Sequence, residues 1–235
     1  MSNSNNHKIY PQGAPNIHNK IINDIISVIE KSKKNNVSVL DLGTGRGYNL
    51  LKLKEYFEKK KIDYQFVGVD IDESSFMLEK NEKIFFQKKN LNEDFYFGKF
   101  DFVIATEVIE HLENPYHFLR NCLDNLKEDG FLYLSSPNVH NIFSLIKILL
   151  KDAPSFFSLS PDGKEHIMPT SIFLIKKILK TISQERNEFY DLKISFSQNI
   201  LKIPIKKRGS FLHFVLPGEC RLLGEVAIYK IKRIK

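Results

Sequence analysis

The residues in this chain with the clearest capacity for chemistry lie in one glycine-rich turn. An apolar run over residues 37–42 contains the acid Asp41, and glycines follow at positions 43, 45 and 47. Glycine permits backbone dihedrals that other residues avoid and leaves no Cβ between backbone and ligand. The helix-compatible sequence that follows would offer free N–H groups and a positive dipole end. The pattern predicts a ligand-binding strand–turn–helix unit, and the alternative is a tight turn in an ordinary α/β protein.

The spacing of these glycines limits the classes of ligand that the turn is expected to bind. A dinucleotide site has the pattern G-x-G-x-x-G, but here the pattern is G-x-G-x-G and Tyr48 occupies the place of the third dinucleotide glycine. A second apolar run ends in Asp70, 23 residues after Gly47. An acid at this place can accept hydrogen bonds from both hydroxyls of a ribose. The combination predicts a cofactor that carries a ribose but no diphosphate.

Five motifs in order, over residues 41–47, 70, 89–93, 100–115 and 126–138, resemble those of S-adenosylmethionine-dependent methyltransferases with a Rossmann-like fold. The resemblance runs from about residue 16 to 138 and more weakly beyond. It implies that the glycine turn wraps the methionine part of the cofactor and that Asp70 holds the ribose. Asn90 stands where the family usually has Asp, so an amide oxygen would meet the adenine amino group. The cofactor-binding residues that the resemblance implies are Asp41, Gly43, Thr44, Gly45, Gly47, Asp70, Ile71, Asn90, Leu91 and Thr106.

The resemblance implies displacement at an activated methyl, so the protein mainly orients the nucleophile. An oxygen acceptor also loses a proton, and histidine is the natural base near neutral pH. His111, His140 and His166 lie in segments expected beside the acceptor. We rank His111 first because it follows strand four directly, and the expected catalytic residues are His111, Glu107 and His166. The histidines that we place away from the site are His7, His18 and His213.

A divalent cation is the alternative use of the same residues. Glu107, Glu110 and His111 would share one face of a helical turn, and two carboxylates with an imidazole can hold a metal with open positions. The string looks like the metal motif of small-RNA 2′-O-methyltransferases and ubiquinone-pathway O-methyltransferases. In the former a further histidine precedes a capped helix, a place that His166 occupies here. We expect the metal-free form, because the aromatic-acidic sequence usual after that histidine is missing. The alternative metal ligands are Glu107, Glu110, His111 and His166.

The elements that position these residues follow from the apolar periods. Strands are predicted at 37–42, 65–70, 84–87, 100–105, 130–135, 190–197 and 222–232. Helices are predicted at 16–34 and 48–60, from about 73, after Pro115, over 142–150, and through 180 with Thr170 or Ser171 as N-cap. This order predicts an α/β fold with a doubly wound, mostly parallel seven-stranded sheet. In the resembled fold the last strand is antiparallel. The predicted site residues fall at the carboxyl ends of strands, where such sheets bind ligands.

The pattern breaks after strand five. Residues 142–150 are mostly apolar, with Lys147 and Lys151 at the edge, and prolines and Phe156 and Phe157 follow. In the resembled family an insertion here covers the acceptor, and such a cap excludes water. We therefore expect one domain over 1–235 with a cap at 139–169. A helix packed on the core is the alternative, and its polar face is too lightly charged to favour a membrane surface.

Composition sets wider bounds. The formal net charge of +7 comes mostly from lysines in a chain rich in Asn and Ile, so it gives no ground for a nucleic-acid partner. One cluster, Lys202, Lys206, Lys207 and Arg208, could meet an anionic acceptor. Cys122 and Cys220 form neither a disulfide framework nor a metal pattern. We expect a cytoplasmic protein, because no apolar run reaches the roughly 18 residues of a membrane span and no signal peptide is evident.

The expected function is methyl transfer to a small or sugar-like acceptor, at oxygen. Look-alikes that share residues 135–138 and a histidine ahead of the late helix modify surface-polysaccharide or secondary-metabolite precursors. Two alternatives stay open: a metal-dependent RNA 2′-O-methyltransferase, and a cofactor-binding scaffold without catalysis. The intact glycine turn, Asp70, Glu107 and His111 argue against a scaffold.

Overall fold

The computed structural model describes residues 9–11, 15–157, 166–197 and 222–234. Its α-helices are α1 (Pro15–Ser32), α2 (Tyr48–Lys60), α3 (Pro115–Asp124), α4 (Ile142–Lys151) and α5 (Ile172–Arg186). Its strands are β1 (Asn36–Leu42), β2 (Asp63–Asp70), β3 (Ile84–Lys88), β4 (Phe100–Ala105), β5 (Leu126–Pro137), β6 (Phe189–Phe196) and β7 (Val226–Ile234). Short 3₁₀ turns cover Glu73–Ser75 and Ile109–His111.

All seven strands form one sheet in the order β3-β2-β1-β4-β5-β7-β6. The strands from β3 to β5 pair in parallel, whereas β7 is antiparallel to both β5 and β6. The predicted doubly wound, mostly parallel sheet with an antiparallel last strand is therefore confirmed. Strand order reverses beside β1, which pairs with β2 on one side and β4 on the other. Ligands bind such sheets at this switch point, outside the carboxyl ends of the strands.

Each face of the sheet carries its own apolar core, because successive strand residues point to opposite faces. In β1, Val37 and Val39 join the core under α1 and α2, whereas Leu40 and Leu42 join the core under α3 and α5. Burying each such side chain stabilises the fold by about 1.5–3 kcal/mol. These two cores fix the strand ends that carry the predicted site.

The helix predicted from about residue 73 is limited to three residues. Glu73–Ser75 forms a single 3₁₀ turn, which Asp72 caps by accepting a hydrogen bond from Ser74 N. The chain then passes close to the sheet. A Cβ built on Gly68 would lie 3.0 Å from the Phe76 ring, so that aromatic side chain fills the space above β2. At the later helix, Ser171 rather than Thr170 is the N-cap, since its Oγ accepts from Leu174 N at 3.0 Å.

Helix α4 lies outside both cores. Ser144 is its only buried residue, whereas Phe143, Leu149 and Leu150 are 54, 85 and 77% exposed. The alternative of a helix packed on the core therefore does not describe α4. None of the helices that the structure describes is long and apolar enough to cross a membrane. The predicted basic cluster (Lys202, Lys206, Lys207 and Arg208), His7, His213 and Cys220 lie outside the described residues.

Candidate active site

The glycine turn joins the end of β1 to the start of α2. Gly43, Gly45 and Gly47 all have positive φ angles, of 67°, 49° and 84°. At Gly43 a Cβ would also lie 2.4 Å from the Val108 side chain, so no other residue fits without rearrangement. Two backbone donors tie the turn to the end of β2. Thr44 N donates to Val69 O, and Gly45 N donates to Asp70 Oδ2, each at 2.9 Å.

A cavity of about 480 Å³ opens beside this turn and is lined by predicted cofactor residues, namely Gly43, Asp70, Ile71, Asn90 and Leu91. The carboxylate of Asp70 accepts one backbone hydrogen bond on each oxygen, from Gly45 N and from Asp72 N at 3.2 Å. Each oxygen keeps capacity for a second hydrogen bond, as a ribose requires. Asn90 Oδ1 accepts from Asn92 N at 3.1 Å, so its predicted contact with adenine would be a second bond to that oxygen.

A second cavity, of about 380 Å³, shares Gly43, Glu107 and His111 with the first. Thr44, Thr106 and His166 also line it. The structure thus brings together all three residues predicted to be catalytic, although 55 residues separate His111 from His166. The ring centroids of His111 and His166 lie 4.8 Å apart, and the two rings are inclined at 72° to each other. The predicted cofactor residue Thr106 lies at the same place, directly after β4.

Glu107 departs from its predicted conformation. It was expected to share the face of a helical turn with Glu110 and His111, but the 3₁₀ turn comprises only Ile109–His111. Glu107 instead has a φ of 54°, which is uncommon outside glycine, and its N–H donates to Ser135 Oγ at 2.9 Å. This bond to the neighbouring strand turns the chain sharply at the end of β4. Glu107 therefore lines both cavities but does not belong to the compact group formed by Glu110, His111 and His166.

Glu110, His111 and His166 place their ligand atoms within 4.8 Å of one another. Glu110 is fully buried, and neither oxygen of its carboxyl has a hydrogen-bond partner in the part of the chain that the structure describes. Burial, assisted by the charge of Glu107, raises the pKa of Glu110 to about 8. The main-chain oxygen of Glu110 accepts from Ile167 N at 2.8 Å and Met168 N at 3.0 Å. These two bonds hold the segment of His166 against the 3₁₀ turn.

This arrangement can do two kinds of chemistry. Two imidazoles beside a buried carboxyl can accept and retain a proton near neutral pH. One carboxylate and two imidazoles are also a common donor set for a divalent transition metal with open positions. The orphaned buried carboxyl of Glu110 suits either a proton or a cation, because an isolated buried charge is costly.

Three predicted cofactor residues, Asp41, Gly45 and Gly47, line neither cavity; the two glycines belong to the turn itself. Asp41 is buried and accepts hydrogen bonds from Thr44 Oγ1 at 2.8 Å and Asn49 Nδ2 at 3.1 Å. Burial raises the pKa of Asp41 to about 6, even though both bonds lower it.

Histidine placement differs from the prediction at two positions. His140, expected beside the acceptor, lines neither of these cavities. His18, placed away from the site in the sequence, is buried and lines the cavity of His111 and His166. A signal for His18 was present in α1. Its spacing from Ile21, Ile22 and Ile25 puts it on the apolar face, where an imidazole needs a polar partner.

Comparisons with known proteins agree with this geometry. A family profile described as a methyltransferase domain matches residues 16–181. The mitochondrial ubiquinone biosynthesis O-methyltransferase of Saccharomyces cerevisiae is 29% identical over 145 residues, which are 57% of this chain and 44% of that protein. Ubiquinone biosynthesis O-methyltransferase of Rickettsia bellii is 32% identical over 121 residues, half of each chain. The chain spans half or less of the length of these curated relatives.

Solved structures show the same fold over nearly the whole chain. A SAM-dependent methyltransferase from Archaeoglobus fulgidus matches with a TM-score of 0.54 and 20% identity, over 92% of this chain and 94% of that one. The plantazolicin methyltransferase BpumL, in complex with a triazolic desmethylPZN analogue and S-adenosylhomocysteine (SAH), matches with a TM-score of 0.61 and 16% identity, over 94% of this chain and 86% of that one. At these identities the likeness concerns the fold.

Proposed function

The chain belongs to the methyltransferase domain family, and from this premise we propose that it methylates a hydroxyl oxygen of a small acceptor bound beside His111 and His166. It is an S-adenosylmethionine-dependent methyltransferase. The observation that carries the proposal is the contact between His111 and His166 in a cavity that adjoins the Asp70 cavity. The relatives named as O-methyltransferases support oxygen as the methylated atom.

S-adenosylmethionine, when bound, supplies a methyl group that its sulfonium already activates for displacement. The chain's own residues orient the reactants and move one proton. Asp70 would hold the ribose hydroxyls, and the glycine turn would hold the methionine part. Both sites are fixed by backbone hydrogen bonds before any ligand arrives. Thr106 and Glu107 directly follow β4, and Glu107 lines both cavities, which supports an acceptor hydroxyl bound near His111.

His111 would take the proton from the acceptor hydroxyl as the oxygen attacks. A positioned general base of this kind contributes about 10²–10⁴ to the rate. His166 packs against the His111 ring, and Phe157 packs against His166 with ring centroids 5.3 Å apart. We propose on this basis that residues 139–169 form a cap, with Phe157 as its contact to the catalytic pair. An apolar cover excludes water and strengthens the electrostatic interactions beneath it.

For the acceptor we propose a small, sugar-like compound of the kind used to build surface polysaccharides. The resemblance to enzymes that modify surface-polysaccharide precursors rests on residues 135–138, and these residues are buried in the structure. Asn138 binds Gly224 O through Nδ2 at 2.8 Å, so this segment anchors the root of the cap rather than the acceptor. A phenolic acceptor shares the same hydroxyl chemistry, and the names of the curated relatives make it the second compound class to test.

A metal-assisted form of the same reaction is the second candidate, and one observation favours it. Glu110, His111 and His166 offer a donor set that fits a divalent cation, and the Glu110 carboxyl lacks a hydrogen-bond partner among the described residues. A cation held there would act as a Lewis acid that lowers the pKa of a bound hydroxyl. His111 would then be a ligand, and no imidazole base would be needed at that position.

The deciding experiment follows methyl transfer from labelled S-adenosylmethionine to four acceptor classes: nucleotide sugars, phosphorylated metabolites, phenolic quinone precursors and short RNAs. Each assay is run before and after chelation, and again with Mg²⁺, Mn²⁺ or Zn²⁺ restored. We expect methylation of a sugar-like hydroxyl, which gives an ether product. We expect this activity to persist after chelation. Loss of activity on chelation, with recovery on adding one metal, would establish the metal-assisted form. Methylation at nitrogen or carbon would contradict the proposal. SAH binding without turnover on all four classes would support a scaffold.

A further inference from the structure

A buried polar chain runs from α1 to the acid of β1 behind the glycine turn. His18 Nδ1 lies 2.7 Å from Asn49 Oδ1, and Asn49 Nδ2 donates to Asp41 Oδ1 at 3.1 Å. Thr44 Oγ1 donates to the other oxygen of Asp41 at 2.8 Å. His18, Asn49 and Asp41 are 7, 4 and 1% exposed. Burying three such groups costs free energy unless they are joined, and here each binds the next.

The chain of donors and acceptors sets the tautomer of His18. The Asp41 carboxylate can only accept, so the Asn49 side chain must direct its NH₂ group there and its oxygen toward His18. His18 Nδ1 must then carry the hydrogen that this oxygen accepts. In the neutral ring, Nε2 is consequently a hydrogen-bond acceptor. Asn49 itself lines the cavity beside His18, whereas Asp41 does not line it and acts on it through Asn49 and Thr44.

The position of His18 matches the amino-acid end of the cofactor. With the ribose on Asp70, the rest of the cofactor must pass Gly43, which both cavities share, to enter the cavity that His18 lines. That end carries an ammonium and a carboxylate on one carbon. Among the described residues lining the cavity, Arg46 is the only one with a permanent positive charge. Glu110, His111 and His166 form a separate group, in which the ligand atoms lie within 4.8 Å of one another.

We propose that His18 accepts a hydrogen bond through Nε2 from the α-ammonium of the cofactor, while Arg46 pairs with its carboxylate. Asn49 and Asp41 are positioning residues that hold the His18 ring in the required tautomer. The assignment adds a binding residue from α1 to a site whose family motifs lie on the sheet. It rests on cofactor use alone and is independent of the acceptor.

The test is calorimetric titration of the full chain with three ligands. These are SAH, its analogue with hydrogen in place of the amino group, and 5′-methylthioadenosine, which lacks the whole amino-acid end. We expect His18→Ala to weaken SAH binding about 10- to 100-fold, the range for a hydrogen bond to a charged group. Binding of the other two ligands should change by less than about 2-fold. His18→Gln, whose amide oxygen can accept the same bond, should recover part of the loss.

Two further variants sharpen the result. Asn49→Leu should reproduce the selective loss for SAH, because it removes the group that sets the tautomer. Asn23→Ala, an exposed change on the same helix, should leave the binding of all three ligands unchanged. Equal weakening of all three ligands by His18→Ala would assign His18 to the fold and overturn the proposal. Unchanged SAH affinity with a raised KM for the acceptor would place His18 at the acceptor and also overturn it.

Discussion

The proposed site has a cofactor half, formed by Asp41, the glycine turn and Asp70, and an acceptor half, formed by Glu110, His111 and His166. The two halves surround a buried carboxyl group in different ways. In the cofactor half, Asp41 accepts hydrogen bonds from Thr44 and Asn49, and burial raises its pKa only to about 6. In the acceptor half, Glu110 is equally buried, has no such donor among the described residues, and has a pKa raised to about 8. The difference teaches that protein donors offset the burial of the Asp41 carboxyl, whereas no donor among the described residues offsets the burial of the Glu110 carboxyl.

The two halves also differ in how the chain builds them. The glycine turn is fixed by bonds between neighbouring strands, as from Gly45 to Asp70. The acceptor half joins the 3₁₀ turn after β4 to a segment more than 50 residues later, through two bonds to Glu110 O. A preorganised cofactor half can bind its ligand without the acceptor. The proposed cap would let the acceptor half change its specificity without disturbing the cofactor.

The largest expected effect is the loss of the proposed base. His111→Ala should lower kcat by about 10²–10⁴, because it removes the proposed general base. Affinity for SAH should stay within about 2-fold, as measured by calorimetry. His117→Ala is the matched control, since His117 lies on α3, bonds Asn121 and lines neither cavity. If His111→Ala were fully active on its true acceptor, the acceptor half would not supply the general base, and the proposed functional difference between the two halves would be wrong.

The next effect belongs to the cofactor half. Asp70→Ala should weaken S-adenosylmethionine binding by about 1.5–3 kcal/mol, since it removes both acceptors for the ribose hydroxyls. It also frees Gly45 N, which Asp70 holds in the turn. Titration calorimetry measures the change. Asp72→Ala, an exposed neighbour that caps only the 3₁₀ turn, serves as control. An Asp70→Ala protein with unchanged cofactor affinity would show that the ribose binds elsewhere.

Sequence reasoning predicted the turn and the strand ends of the proposed cofactor half, because local spacing determines them. Glycines at fixed intervals after a strand, and an acid at the end of the next, are read without tertiary information. The acceptor half and α1 depend on distant contacts. The sharp turn at Glu107 depends on Ser135 in the neighbouring strand, and His18 enters the site because α1 packs beside α2. The helix predicted after β2 ends after one 3₁₀ turn, and Phe76, the next residue, lies against Gly68.

A smaller effect should separate the two phenylalanines of the cap. Replacing both Phe156 and Phe157 by Ala should raise the acceptor KM by about 3- to 10-fold, consistent with losing about 1 kcal/mol of apolar contact. Phe157→Ala alone should account for this change, because Phe157 is buried against His166 whereas Phe156 is 51% exposed. Steady-state kinetics of both variants, with a parallel SAH titration, separates the change in acceptor KM from any change in cofactor affinity. An equal fall in cofactor affinity would place this segment in the cofactor half.

The smallest expected effect concerns a third buried carboxyl, which lies far from the proposed site. It tests whether hydrogen-bond donors within the protein set the pKa of a buried carboxyl. Asp101 lies in β4 near the end opposite Thr106. Burial raises its pKa, but hydrogen bonds from Lys34, Ser38 and Lys127 outweigh burial and lower the pKa to about 2. The folded state therefore favours the carboxylate. This stabilisation is present above the ordinary pKa of 3.8 and is lost as the pH falls through about 2.

Asp101→Asn should reduce the free energy of unfolding at pH 7 by only about 1 kcal/mol, since both lysines reach solvent and screening weakens the pairs. Its stability should also fall less than that of the wild type between about pH 4 and pH 2. Urea unfolding at pH 7, 4 and 2 measures both quantities. Asp129→Asn, which breaks only the exposed pair with Lys232, is the matched control. If the variant showed the same acid dependence as the wild type, internal donors would not set carboxyl pKa values here, and the contrast between Asp41 and Glu110 would need another cause.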